Sequence, residues 1–287
     1  NLQMKETIKI LKKNLLKNKF VKILQNKYLK IKFKYIRLKD KLRIEKYSYV
    51  YFKKERIFSI LDMGHETRMR AFSFETKEPE TINWINNFDK DDCLLDIGAN
   101  VGLYSLYAAY RKHSVISIEP DALNYALLNL NIRANNFSNF ITPYSVAMHD
   151  KTKFSKFNIS SYVWGGALNS FDNNIDFENN KFIPIHFQGI FGISLDKFLK
   201  MINVFPNHIK IDVDGNEKLI LEGAKDTLSN LNVKSLLVEL NEKNLDYEST
   251  LDFIFTKGFT LVEKAHAEKY NKGKFSSLFN HIFKRFQ

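Results

Sequence analysis

A lone cysteine, Cys93, leaves no partner for an internal disulfide and rules out a multi-cysteine metal site. Its place beside an apolar strand reads as a buried structural thiol. No apolar run approaches the ~20 residues of a membrane span. No charged start followed by an apolar core marks a signal peptide, so the cytoplasm is the expected location. Internal repeats are absent. The phosphate-binding signatures are missing too. Counting from Gly98, the second and third glycine places of a dinucleotide turn hold Asn100 and Leu103. A P-loop needs Gly-Lys-Ser/Thr, and the chain has none.

What is present is a chain of 287 residues, long enough for a sizeable core, with 44% hydrophobic and 26% charged residues, as in soluble globular proteins. Its net charge of +12 is concentrated at one end. Residues 1–56 hold 19 Lys plus Arg against 4 Asp plus Glu, and the remainder holds 25 against 28. A near-neutral body with a basic arm does not carry the broad basic face of a nucleic-acid binder. In the arm, Ile8, Leu11, Leu15, Leu16, Phe20, Leu24 and Tyr28 recur at helical steps between lysines. Residues 1–46 are therefore expected to form a basic amphipathic helical arm. It would either dock on the body or a partner, or lie on an anionic membrane.

From Tyr47 onward the pattern is that of one domain, residues 47–287. "YSYVYF" and "RIFSIL" predict a hairpin, and "PETINWINNF" a short helix with Pro79 in its first turn. Strands and helices then alternate. "CLLDIG", "SVISIEP", "FITPYSVAM", "HIKIDVDG", "SLLVELN" and "FTLVEKA" read as strands. Leu103–Arg111, Asp121–Ala134, Glu217–Leu231 and "LDYESTLDFIFTKG" read as the helices between them. Ile-, Leu- and Val-rich strands in such alternation predict an α/β fold whose mostly parallel sheet is covered on both faces. An insert of about residues 151–206 interrupts the rhythm, as loops or a few antiparallel strands. The tail "FSSLFNHIFKRF" places its apolar residues on a helical stripe that covers the core or, with the arm, reaches a membrane.

The sharp turn after the first parallel strand keeps D-x-G-x-x-x-G, as Asp96, Gly98 and Gly102. An acid at this strand end suits an ammonium group, and Gly98 removes a side chain from a ligand's path. The next strand ends in Glu119, whose carboxylate can take both ribose hydroxyls and repels a 2′-phosphate. Adenosine joined to an amino acid without phosphate, as in S-adenosylmethionine, meets both conditions.

"DIGANVGLYSLYAA", "VISIEPDALNYALLNLN", "HIKIDVDGNEKLILEGA" and "LLVELN" resemble the FkbM family of S-adenosylmethionine-dependent methyltransferases. The resemblance runs from about Thr67 to Phe286 and leaves out the arm. It implies a doubly wound, Rossmann-like sheet of seven strands, the class I methyltransferase fold. Carried onto this chain, it implies cofactor contacts from Asp96, Gly98, Ala99, Asn100, Gly102 and Glu119, with Ala147 and Met148 beside the adenine. His149, next to Asp150, reads as an adenine-edge residue or a catalytic dyad.

Methyl transfer to a hydroxyl asks the protein for alignment and for proton removal. Lys210, Asp212 and Asp214 alternate along the fourth parallel strand and so point to one side. Either aspartate is a candidate general base on a sugar hydroxyl, with Lys210 orienting or stabilising the alkoxide. In a second version Asp212, Asp214, Glu239 and Asn241 hold Mg2+, which acidifies the hydroxyl. The plain alternative is a Lys–Asp ion pair. The Pro-Pro-aromatic cluster of base-modifying enzymes is replaced by Val213-Asp214-Gly215, which argues against a nucleic-acid substrate. The resemblance implies O-methylation of sugars in glycans, glycolipids or natural products, for which Trp164, Asn169, Ser170 and Gln188 of the insert are the substrate candidates. A member of the fold that binds cofactor or glycan without turnover is the non-enzyme alternative.

Overall fold

The computed structural model describes Lys27, Tyr28, Lys30, Ile31 and residues 46–286. The chain divides into two units between Glu45 and Lys46. The amphipathic arm therefore lies outside the described residues, apart from Lys27, Tyr28, Lys30 and Ile31, which are helical. Among the described residues no helix is long and apolar enough to cross a membrane.

The second unit begins with the expected hairpin, β1 (Tyr47–Phe52) and β2 (Glu55–Leu61). Its turn places Lys53 and Lys54 at φ 50° and 69°, the double positive φ that suits the twist of a two-residue hairpin. Helices α1 (His65–Phe72), α2 (Phe74–Lys77) and α3 (Pro79–Asn86) follow. Pro79 opens α3, where its missing N–H costs nothing.

The alternation then runs as β3 (Cys93–Ile97), α4 (Leu103–Tyr110), β4 (Ser114–Ile118), α5 (Ala122–Ala134) and β5 (Ile141–Tyr144). Asp121 caps α5 by accepting from the N–H groups of Leu123 and Asn124. "FITPYSVAM" is not one strand. It breaks after Tyr144, and β6 (Ala147–Met148) joins a second sheet with β7 (Lys153–Ile159), β8 (Ser170–Phe171) and β9 (His186–Ile193). The insert thus forms a mainly antiparallel sheet in which β7 pairs with both β8 and β9.

The main sheet resumes with α6 (Leu195–Ile202), β10 (His208–Ile211), α7 (Glu217–Glu222), α8 (Lys225–Ser229), β11 (Ser235–Asn241), α9 (Tyr247–Thr256), β12 (Thr260–Ala265) and β13 (Leu278–Lys284). The helix expected over Glu217–Leu231 is two. It ends at Gly223, where a Cβ would stand 2.3 Å from the His149 carbonyl oxygen, so the chain must turn without a side chain.

The strand order is β12-β13-β11-β10-β3-β4-β5. Strands β11, β10, β3, β4 and β5 are parallel, and β13 runs antiparallel between β11 and β12. This is the seven-stranded, doubly wound sheet, with one core on each face. The tail is not a helix. Residues 280–283 of β13 are all buried, and a short continuous apolar run fits a fully buried strand as well as a helix. Pairing on both sides decides for the strand, and the expected helical membrane stripe is absent.

At the sheet edge opposite the strand ends that form the site, buried His208 is bracketed by Asp92 (Nε2 to Oδ2, 2.8 Å) and Ser235 (Nδ1 to Oγ, 2.7 Å) and stacks on Phe88. Burial, outweighing Asp92, brings its pKa down to about 4, and burial does the same to His281. Both are neutral in the fold and take up a proton near pH 6.5 when unfolded. Between pH 6.5 and 4 the unfolded chain binds more protons, so stability present above pH 6.5 is lost on acidification, by a few kcal/mol at most. Thermal midpoints measured across this window should fall more steeply for the wild type than for His208→Gln. Equal slopes would refute the assignment.

Candidate active site

The strand order reverses between β3 and β10, and in open α/β sheets ligands bind beyond the strand ends at such a point. The glycine turn leaves β3 here. All its N–H groups are already bonded. Gly98 and Ala99 donate to the Ile118 carbonyl, Asn100 to Glu119 Oε2, Val101 to the Asn100 side chain and Gly102 to the Ala99 carbonyl. The turn is therefore no cradle for a phosphate, which needs such donors free. Gly98 has φ 85°, and a Cβ there would meet the Asp212 carbonyl oxygen at 1.8 Å. The glycine thus lets β3 and β10 meet at their ends, a closer constraint than clearance for a ligand. Gly102, at φ 89°, is required by Leu128 of α5, which a Cβ would approach to 2.5 Å.

Beneath the turn lies a cavity of about 370 Å³. Asp96 and Lys210 are register partners on β3 and β10, both buried. Asp96 accepts from Ser105 Oγ at 2.5 Å, and burial pushes its carboxyl up. Lys210 Nζ donates to Asp212 Oδ2 at 2.6 Å and lies 5.3 Å from the Tyr104 ring centroid. Burial works against the Asp212 charge, but Lys210 and Lys77 hold its carboxyl well below the usual range. Asp214, at φ 61°, accepts from the Leu168 N–H at 2.6 Å. Burial and the neighbouring Asp212 push it up to about 6. Burial, then Asp212, Asp214 and Glu78, push Glu239 well above its ordinary value.

The cavity brings together Asp96, Gly98, Ala99, Asn100, Lys210, Asp212, Asp214 and Glu239 of the expected residues. Others lie elsewhere. Ala147 and Met148 are buried in the cores, and His149 packs on Phe171. Glu119 is only 4% exposed, with its oxygens on the Asn100 and Asp121 N–H groups, and burial brings it up to about 8. The insert lies over this edge. Gly166 O accepts from both Asn100 Nδ2 and Asn124 Nδ2, and Gly165 O accepts from Arg70.

The four substrate candidates fasten the insert in place and do not line the cavity. Trp164 packs against a core. Asn169 bonds Ser160 N and Asp121, Ser170 bonds Asn173 and Asn216, and Gln188 bonds Pro120 O and Ala122 N. Sequence reading also missed the opposite wall, which comes from α1 to α3 (Arg70, Lys77, Glu78, Glu80), Tyr104 of α4, and the β12–β13 segment (His266, Tyr270, Asn280). The upstream part lay within the matching segment "TRMRAFSFETKEPETINWI", and its charged residues were the available signal.

Of the expected metal set, Asp212, Asp214 and Glu239 bring carboxylate oxygens within 4.8 Å of one another. Asn241 does not join them, because its amide bonds Phe177 O and Lys243 N. Lys210 already supplies Asp212 with a cation, so the set fits Mg2+ incompletely and no step is derived through a metal. For S-adenosylmethionine the fit is better. The acidic cavity suits its sulfonium and ammonium charges, and the turn offers no phosphate site.

Three solved structures are among those similar to this chain. The methyltransferase FkbM of Methylobacillus flagellatus KT is 18% identical with a TM-score of 0.47, over 69% of this chain and 44% of that one. The precorrin-6y C5,15-methyltransferase of Geobacter metallireducens GS-15 is 12% identical with a TM-score of 0.43, over 73% and 87%. The M. jannaschii tRNA m1G37 methyltransferase is 10% identical with a TM-score of 0.44, over 85% and 58%. This chain thus spans under half the length of the M. flagellatus protein. No curated protein matches in sequence. The methyltransferase FkbM domain matches residues 96–261, from the acid of the glycine turn to β12. The chain belongs to the FkbM methyltransferase family.

Proposed function

We propose that this chain is an S-adenosylmethionine-dependent O-methyltransferase whose acceptor is a sugar hydroxyl. The observation that carries the reading is the buried Lys210 held among Asp96, Asp212 and Glu78 at the switch point, beside a turn with no free N–H. When bound, the cofactor supplies a methyl group already activated for transfer. Asp96, Gly98, Ala99 and Asn100 line its end of the cavity. Glu119 is the residue for the ribose, and reaching it requires the Gly165–Gly166 segment to lift from Asn100 and Asn124.

Lys210 and Asp212 lock each other, so Asp212 is a positioning residue. Asp214 lines the same cavity, and at about 6 its carboxyl is matched to taking a hydroxyl proton near neutral pH. A polyanionic acceptor is disfavoured by the excess of carboxylates, which supports a sugar over nucleic acid.

Titration calorimetry with S-adenosylhomocysteine and with NAD tests the cofactor. Only the former should bind, and Glu119→Gln should weaken it about tenfold or more, because an amide offers one acceptor oxygen to the two ribose hydroxyls where a carboxyl group that ionises on binding offers two. Binding of NAD, or of neither, would refute it. Asp214→Asn should lower methylation of a sugar panel by on the order of 100-fold or more while cofactor affinity stays within about threefold. Unchanged turnover would remove Asp214 from its role.

A further inference from the structure

The end of the cavity lined by β13 is not used by the chemistry above. Asn280 of β13 is 3% exposed, and its Nδ2 donates to Glu80 Oε1 at 2.7 Å. That bond fixes the amide, because only the N–H side can face a carboxylate, and leaves Oδ1 buried without a partner. Buried acceptors are rarely left unsatisfied, because each orphan forfeits its desolvation cost. Glu239 stands directly across from Asn280 in the β11–β13 register, and directly opposed residues share a face. Three strand spacings, about 14 Å, separate β13 from the glycine turn of β3, which puts this end beyond the cofactor's side.

Its electrostatics are one-sided. Seven carboxylates line the cavity against three Lys or Arg. The orphan amide oxygen asks for a hydrogen-bond donor and the charge asks for a cation. Resting on the methyltransferase reading, we propose that this end, formed by Asn280, Glu80 and Glu239, binds a primary ammonium group of the acceptor, which is therefore an amino sugar. An ammonium has three donors and no lone pair. Held there it satisfies the orphan oxygen, and its nitrogen is withheld as a nucleophile, so the methyl group is directed to oxygen.

The test uses the full chain saturated with S-adenosylhomocysteine, titrated with glucosamine, N-acetylglucosamine and glucose. Glucosamine should bind about tenfold or more tightly than either other sugar, the difference expected of a charge-assisted hydrogen bond. Glu80→Gln and Glu239→Gln should erase the preference while S-adenosylhomocysteine affinity holds. Equal binding of the three sugars, or binding of none, overturns the amino-sugar assignment alone. Failure of the wild type to bind S-adenosylhomocysteine overturns the cofactor reading and this one with it.

Discussion

Lys210→Met is expected to be among the most destabilising single changes in the protein, by on the order of 3–5 kcal/mol near neutral pH. The side chain is 1% exposed, and its ammonium is the shared counter-charge of Asp212, Glu78 and Asp96. Methionine fills much of the same volume, so the loss reports charge more than packing. Without the ammonium, buried Asp96 and Glu78 and partly buried Asp212 are left with Lys77 as the nearby cation, and burial and mutual repulsion favour proton uptake. The defect should therefore shrink as pH falls from 8 to 5, the reverse of the wild-type acid response set by His208 and His281. Urea unfolding of both proteins across this range measures it. A loss below about 1 kcal/mol, or one independent of pH, would mean that the carboxylates are already protonated and that Lys210 is not their counter-charge.

Gly98→Ala is expected to cost about 3 kcal/mol or more and to weaken S-adenosylhomocysteine binding by tenfold or more. Two effects add. An L-residue at φ 85° is strained by on the order of 1 kcal/mol. The added methyl would also stand 1.8 Å from the Asp212 carbonyl oxygen, and backbone on both sides cannot yield without parting β3 from β10. Gly273→Ala isolates the first effect. Gly273 has a similar positive φ, 94°, but nothing lies within 4 Å of its Cβ position. Its cost should stay near 1 kcal/mol with cofactor affinity unchanged. Similar thermal midpoints for the two variants would show that the strand ends are more plastic than the close contact implies.

Much of the fold was legible in the sequence, because what specifies it is local. Pro79 at a helix start, the helix beginning at Asp121 and the Ile-, Leu- and Val-rich runs of β3, β4, β10 and β11 are each specified within a few residues, and all appear in the structure. The alternation Lys210-x-Asp212-x-Asp214 placed three charges at one strand end, since side chains alternate along extended backbone. The tail was misread for the same reason. A run such as Leu278-Phe279-Asn280-His281-Ile282-Phe283 has no period that separates helix from buried strand. Gln188, Asn169 and Ser170 looked like sugar ligands by residue type, yet each is also tied to a partner, 68, 48 and 46 residues away respectively, that no local pattern names.

By itself the sequence determined the α/β alternation, the Asp96-x-Gly98 turn and the set of acids delivered to the strand ends, because these follow from short-range periodicity and steric preference. Only the tertiary structure decided what those acids face. It inserted β13 between β11 and β12, brought Asn280 onto Glu80 from 200 residues away, and fastened the Gly165–Gly166 segment to Asn100 and Asn124. Such contacts depend on how separate elements pack once their apolar faces are buried, and packing between distant segments leaves no period in the chain.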